Sequence, residues 1–170
     1  MSEKDWIRGS GGGGCFTGST LVSTPNGEVP INELEVGDTV ISFDDKACLH
    51  EAKVLKVHIH QNNKVNRYHF WGSGHLEATP DHWVLNQFNT FVAIGSLGSD
   101  DCLIDANNHL RPILGIETVG ATEVYNLTVE SQHTFIANGI RVHNAGLGVG
   151  VIQGSGGGGK GGGGGSATED

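Results

Sequence analysis

The chain has 170 residues, enough for one domain with a hydrophobic core, and a net charge of −9 when its nine histidines are counted as neutral. This acidic balance argues against nucleic acid and an anionic membrane surface as partners, because both are bound through clustered Lys and Arg. No apolar run reaches transmembrane length, the first residues lack a signal-peptide pattern, and with three cysteines at least one thiol stays unpaired. We therefore expect a cytoplasmic protein.

Glycine runs bracket the middle of the chain, at residues 11–14, 156–159 and 161–165. They lack the side chains that would offset the entropy of ordering the backbone. We therefore predict flexible flanks at residues 1–14 and 145–170 around one folded domain at 15–144. A Gly-Ser-Gly repeat on both sides is compatible with an engineered linker or with a natural Gly-rich host sequence interrupted by an insertion.

Short apolar runs with β-branched residues follow one another through the middle of the chain. The main runs lie at residues 29–34, 38–43, 52–60, 91–94, 113–116, 124–129, 134–137 and 140–143. Asn138-Gly139 between the last two runs indicates a two-residue hairpin. Beyond a turn at residues 31–34, no amphipathic helix is evident. Many short strands with regular turns predict an all-β domain, and Trp71 and Trp83 are expected in its core.

Cys15 stands where the first glycine run meets the predicted domain. A free thiol has a pKa of about 8.5, so a few per cent of it is thiolate at pH 7. Its sulfur can attack the carbonyl carbon of Gly14 through a five-membered ring and convert the amide into a thioester. The alternative is a buried, inert cysteine.

A second candidate element is Thr79-Pro80-Asp81-His82. The departing nitrogen in an amide-to-thioester exchange needs a proton, which a histidine with a pKa near 6.5 can supply, so His82 is a candidate acid. Thr79 can donate a hydrogen bond to the scissile amide or to the oxyanion.

The third element closes the predicted domain with His143-Asn144. The side-chain amide of Asn144 can attack its own carbonyl carbon, form a succinimide and release the nitrogen of Ala145. His143 adjoins that bond, and His133 lies across the predicted hairpin, so either could polarise the carbonyl or move the proton. One event per molecule suffices, and a rate constant of about 10⁻⁴ s⁻¹ corresponds to a barrier of about 23 kcal/mol.

Together these motifs resemble those of the Hint superfamily, specifically minimal inteins and bacterial intein-like domains. The matching stretches are Cys-Phe-Thr-Gly-Ser-Thr-Leu-Val at 15–22 with Gly-Asp-Thr-Val at 37–40, Thr-Pro-Asp-His at 79–82, and residues 124–144 ending in His-Asn. The resemblance implies a horseshoe-like all-β fold with pseudo-two-fold symmetry that brings both ends of the domain to one site. It also implies that no metal or other cofactor is needed.

The chain departs from the intein pattern at two positions. Ala145 stands where a Ser, Thr or Cys usually follows, so a branched ester cannot form, and the freed downstream amine would have to attack the thioester directly. Asn126 stands where many inteins carry Asp, and an amide cannot serve as a base. The resemblance therefore implies autocatalytic splicing or cleavage of the chain's own flanks by a monomer in a bacterial cytoplasm.

Two rival interpretations remain open, whereas a Cys-His peptidase acting on other proteins is disfavoured, because nothing in the sequence indicates a substrate cleft. The first is an inert Hint-fold module within a host protein, which Ala145 keeps open. The Gly-rich tail resembles the N-terminal region of phage tail-tip attachment proteins, which could be such a host. The second is a metal site at His58 and His60, which alternate on one strand face. No cysteine pair or carboxylate has ligand spacing with these histidines, which favours exposed strand residues over a metal site.

Overall fold

The computed structural model describes residues 14–143. Except for Gly14, the predicted flanks lie outside the described residues, and so do Asn144 and Ala145. The described chain contains strands and two short 3-10 helices, at Ile31–Glu33 and Ile94–Ser96, and no α-helix. The predicted all-β class is confirmed.

Twelve strands make up the described domain. They are β1 (Phe16–Thr17), β2 (Leu21–Thr24), β3 (Gly27–Pro30), β4 (Thr39–Phe43), β5 (Leu49–Phe70), β6 (His75–Ala78), β7 (Trp83–Leu85), β8 (Phe91–Ala93), β9 (Cys102–Ile104), β10 (Leu110–Val129), β11 (Thr134–Ala137) and β12 (Ile140–His143). They form two six-stranded sheets, in the orders β4-β5-β6-β1-β10-β9 and β3-β2-β11-β12-β7-β8.

Both sheet orders show the same pseudo-two-fold arrangement. The segment β1–β5 with its 3-10 helix is repeated by β6–β10, while β11 and β12 form a hairpin at the centre of the second sheet. Local hydrogen bonds repeat as well: Asp38 accepts from the backbone nitrogen of Glu35, and Asp101 from that of Gly98, each at 2.8 Å. The expected symmetry is confirmed.

Strands β5 and β10 are much longer than the short runs in the sequence predict, with 22 and 20 residues. They pair antiparallel along most of their length, with register irregularities such as those around Gly115 and Gly120. A glycine interrupts the alternation that marks a strand in sequence, but a bulge lets the ladder bend and continue. Long-range pairing therefore joins the predicted runs at 113–116 and 124–129 into one strand.

The core lies under the central strands of both sheets, where residues such as Phe16, Phe135 and Val142 are fully buried. Trp71, which the sequence suggests as a core residue, is 63% exposed in the turn after β5. Its interpretation as a core residue is wrong, because apolarity alone does not show which side of a turn faces solvent. Trp83 is partly buried.

Candidate active site

The upstream junction is held against the turn between β6 and β7. The backbone nitrogen of Cys15 donates to the hydroxyl of Thr79 at 2.9 Å, and the backbone nitrogen of Thr79 donates to the carbonyl of Cys15 at 2.9 Å. The Thr79 hydroxyl thus accepts a hydrogen bond from the scissile amide, and its donation to the oxyanion stays a prediction. An amide N–H can only donate, so its partner must accept.

Gly14 is buried directly against His82. A Cβ added to Gly14 would lie 2.2 Å from the Cα of His82, which leaves no room for a side chain. The carbonyl of Gly14 accepts a hydrogen bond from Nδ2 of Asn126, whose Oδ1 accepts from the backbone nitrogen of Leu127 at 2.7 Å. This second bond fixes the orientation of the amide, so that its donor end faces the Gly14 carbonyl.

The imidazole of His82 is fully enclosed, with 1% of the residue exposed, and its ring centroid lies 4.0 Å from that of Phe16. Within the described residues neither ring nitrogen makes a well-aligned hydrogen bond. Burial lowers the pKa of His82 to about 4, although the nearby backbone of Gly14, the charge of Asp81 and the backbone of His143 each favour the protonated form. The ring is therefore neutral at pH 7.

The thiol of Cys15 is also neutral. Burial raises its pKa to about 12, and the carboxylate of Asp81 adds to the rise. The few per cent of thiolate expected from an ordinary cysteine is therefore absent in the folded site. Desolvation favours the neutral form of each group, so the thiol and the imidazole are both uncharged at pH 7.

The downstream end of the domain reaches the same place through β12. His143 is buried, pairs with Thr134 of β11, and packs its ring edge-on against Trp83 and Phe91 at 5.3 and 5.0 Å. His133 lies 6.5 Å from His143 between ring centroids and donates through Nδ1 to the carbonyl of Val129 at 3.2 Å. Gly14 and the backbone of His143 thus lie beside His82, whereas His133 is placed next to His143.

The remaining histidines and cysteines lie outside this cluster. His58 is half-buried and bonds to the hydroxyl of Thr128 at 2.7 Å, and burial, with Lys56 and His60 adding, lowers its pKa to about 4. In residues 14–143 no group of three or more His, Cys, Asp or Glu could hold a metal ion. Cys48 is exposed, and Cys102 is partly buried in β9.

The sequence did not identify Phe16 as a neighbour of the catalytic candidates. Its ring supports the imidazole of His82. The available signal was its place directly after Cys15, but a single aromatic residue there does not reveal what it contacts.

No helix within the described part of the chain is long and apolar enough to cross a bilayer.

Comparison with known proteins places this geometry in a known family. A family model described as the Hint domain matches residues 14–145. The DnaB intein from Synechocystis sp. PCC 6803 is 25% identical, with a TM-score of 0.70 over 78% of this chain and 99% of that chain. The gp41-1 intein is 27% identical, with a TM-score of 0.67 over 78% and 100%.

A bacterial intein-like domain from Clostridium thermocellum is similarly related. It is 25% identical, with a TM-score of 0.70 over 76% of this chain and 98% of that chain. The comparison with curated protein sequences found no match.

Proposed function

Because this chain belongs to the Hint domain family, whose fold supports self-processing, we propose that it cuts its own backbone at Cys15 and at Asn144. The observation that carries the proposal is the position of His82. The backbone of Gly14, at the upstream junction, and the backbone of His143, beside the downstream junction, both lie close to its ring. The substrate is therefore the chain's own flanks.

In the upstream step, the sulfur of Cys15 attacks the carbonyl carbon of Gly14, and the C–N bond between these residues breaks. The thiol proton passes to neutral His82 and then to the departing nitrogen. The products are a Gly14 thioester and the free α-amine of Cys15, without net gain or loss of a proton. A neutral imidazole suits this shuttle, because it can accept a proton before it donates one.

Asn126 and Thr79 act on the two atoms of the breaking amide. Asn126 donates to the oxygen of Gly14, where negative charge develops in the tetrahedral intermediate. Thr79 accepts from the nitrogen of Cys15 and holds the leaving group in place. Asn126 therefore acts as a hydrogen-bond donor to the developing oxyanion, a role that an amide can fill although it cannot act as a base.

The raised pKa of Cys15 is compatible with slow chemistry. At about 1.36 kcal/mol for each pKa unit, moving the proton from a thiol of pKa about 12 to an imidazole of pKa about 4 costs about 11 kcal/mol. A process on the scale of hours tolerates a barrier of about 23 kcal/mol, so this cost leaves about half of the barrier for the bond changes.

In the downstream step, Nδ2 of Asn144 attacks the Asn144 carbonyl carbon, and the C–N bond to Ala145 breaks. The amide proton moves to the departing nitrogen, which yields a succinimide and a free amine on Ala145. His143 and His133 are the groups we propose for polarising the carbonyl or carrying the proton. His143 is held by packing against two aromatic rings, which suits it to a fixed position.

Joining of the flanks needs one further reaction, because Ala145 offers no side-chain nucleophile. Its freed amine attacks the Gly14 thioester, a peptide bond forms between Gly14 and Ala145, and the thiol of Cys15 leaves. When the flanks separate before this attack, water hydrolyses the Gly14 thioester, and the result is cleavage without ligation.

Intact-mass spectrometry of the freshly purified full chain over time tests the proposal. The parent should lose the flanks and yield a species of residues 15–144. Asn144→Ala should stop downstream release but keep upstream cleavage by added hydroxylamine. Cys15→Ala should stop upstream cleavage but keep downstream release. The double variant should stay intact.

Fragmentation of that double variant at the parent's rate would falsify the assignment of both residues. A parent chain that stays intact, with and without hydroxylamine, would instead identify the domain as an inert module of its host protein.

A further inference from the structure

Strand β1, which begins directly after the nucleophile, has very little backbone pairing to β6. It comprises two residues and pairs with β6 at a single position, Phe16 opposite Ala78. The reacting amide and the Thr79 hydroxyl both lie just beyond one end of this pair, one on each strand. Side-chain contacts across the same strands therefore have a large share in fixing the distance between them.

The pair Phe16–Ala78 lies where the two repeats of the fold meet, and equivalent turns follow it in each repeat. In one turn the backbone nitrogen of His82 donates to the carbonyl of Thr79 at 3.1 Å. In the other the backbone nitrogen of Thr20 donates to the carbonyl of Thr17, also at 3.1 Å.

The register extends this correspondence to the long strands. Phe16 pairs with Tyr125 of β10, and Ala78 pairs with Asn66 of β5. The active-site candidates therefore have symmetry counterparts: Cys15, Thr79, His82 and Asn126 correspond to Glu77, Thr17, Thr20 and Arg67.

The counterpart of the active site is a connected polar cluster. The hydroxyl of Thr17 donates to Oε1 of Glu77 at 2.9 Å, and Arg67 donates to Oε2 at 2.7 Å through Nε. The side chain of Glu77 is 15% exposed. Burial favours the neutral acid, but the bonds from Arg67 and Thr17 outweigh it and hold the pKa of Glu77 below its usual range, so it is a carboxylate at pH 7.

We propose that Glu77 is a positioning residue for the upstream reaction, because it holds Thr17 and thereby sets where β1 places Cys15 relative to Thr79. The proposal rests on the self-processing proposed above. Thr17 is two residues after Cys15, and Glu77 is two residues before Thr79. Residues two apart share a strand face, so the bonds Cys15–Thr79 and Thr17–Glu77 lie on one face, either side of the single backbone pair.

The upstream reaction tolerates little displacement of the Cys15 sulfur from the carbonyl carbon of Gly14. An acyl shift needs the sulfur within near-attack distance of the carbonyl carbon, and a displacement of about 1 Å can cost about a hundredfold in rate. Arg67 adds rigidity from β5, because its two ends hold the carboxylate of Glu77 and the exposed carboxylate of Glu117. The reaction thus takes place at Cys15 beside Thr79, and the symmetry-equivalent cluster around Glu77 sets the position of these two residues.

The test uses the full chain with Asn144→Ala, in which only the upstream step proceeds, and follows hydroxylamine-induced cleavage by intact mass. Thr17→Val and Glu77→Met should each slow cleavage about tenfold, and together little more than either alone, because each removes one partner of the same hydrogen bond. Thr17→Ser keeps the hydroxyl and should stay within about threefold of the Asn144→Ala parent. Glu51→Gln, at an exposed glutamate of β5 outside this cluster, is the matched control and should leave the rate unchanged.

The downstream step supplies the second readout. In a Cys15→Ala chain, Thr17→Val should leave release of residues 145–170 at the rate of that parent, because the downstream junction follows β12, which pairs with β11 and β7. Equal slowing of both steps, or failure of Thr17→Ser to restore the upstream rate, would overturn the positioning role. If the Asn144→Ala parent itself gives no cleavage, the proposed function has failed before the role of Glu77 is tested.

Discussion

At the scale of single residues, desolvation has the largest effect on the site. A surface cysteine and histidine would titrate near 8.5 and 6.5, yet burial moves the pKa of Cys15 to about 12 and that of His82 to about 4. Both groups are uncharged at pH 7, so the reaction begins without separated charge. Asp81 influences both pKa values from the loop beside them.

The close contact between Gly14 and His82 predicts strict selectivity at the residue before the cleavage point. Gly14→Ala should slow hydroxylamine-induced upstream cleavage by about tenfold or more, because the new methyl group would displace the scissile carbonyl from Asn126. The rate is measured by intact mass in the Asn144→Ala background. Gly115→Ala, where an added Cβ meets no atom within 4 Å, is the control. Equal rates for both variants would contradict the steric argument.

At the scale of elements, the β11–β12 hairpin links the downstream junction to the rest of the fold. Its two-residue turn is confirmed, with positive φ at Asn138 (47°) and Gly139 (80°). Asn138 also makes tertiary bonds: its Oδ1 accepts from the nitrogen of Leu21, and its Nδ2 donates to the carbonyl of His75, each at 2.7 Å. The turn residue thereby connects the hairpin to the first residue of β2 and the first residue of β6.

Replacing Asn138 with Gly keeps a backbone suited to positive φ but removes both side-chain bonds. We expect the free energy of unfolding to fall by about 2 kcal/mol, roughly 1 kcal/mol for each bond. Urea denaturation of an uncleavable Cys15→Ala, Asn144→Ala chain measures it. Asn108→Gly provides the control, since Asn108 also has positive φ, at 65°. A loss no larger than that of the control would show that the turn conformation, and not the two bonds, sets the contribution of Asn138.

At the scale of the whole molecule, the pseudo-two-fold arrangement brings the two ends of the domain together. Strand β1 lies beside β6 in one sheet, and β12 lies beside β7 in the other, so the turn between β6 and β7 meets both. His82 lies in that turn. The convergence therefore follows from the order of strands in two sheets and needs no flexible closing segment.

The same burial makes the stability of the fold dependent on pH. His82 and His58 have a pKa of about 4 when folded and about 6.5 when unfolded, so the unfolded chain binds more protons in this interval. Their stabilising effect is fully present above pH 6.5 and is lost as the pH falls towards 4. For His82 the loss amounts to about 3 kcal/mol.

Urea unfolding of the uncleavable chain at pH 7 and pH 4.5 measures this loss. His82→Gln should reduce the difference between the two pH values, because glutamine does not titrate, whereas the exposed His75→Gln should preserve it. A parent whose stability is the same at both pH values would contradict the buried, neutral state of His82.

The sequence by itself determined the all-β class, the hairpin at Asn138-Gly139 and the candidate residues from Cys15 to Asn144. These features are local: turn chemistry, side-chain alternation and short motifs can be read within a few residues. Only the tertiary structure decided that the Thr79 hydroxyl accepts a hydrogen bond, that Gly14 is pressed against His82 and that Trp71 is exposed. It also joined the short runs into β5 and β10. Those outcomes depend on pairing and burial between residues far apart in the chain, and no local pattern encodes which distant group will remove a side chain from water.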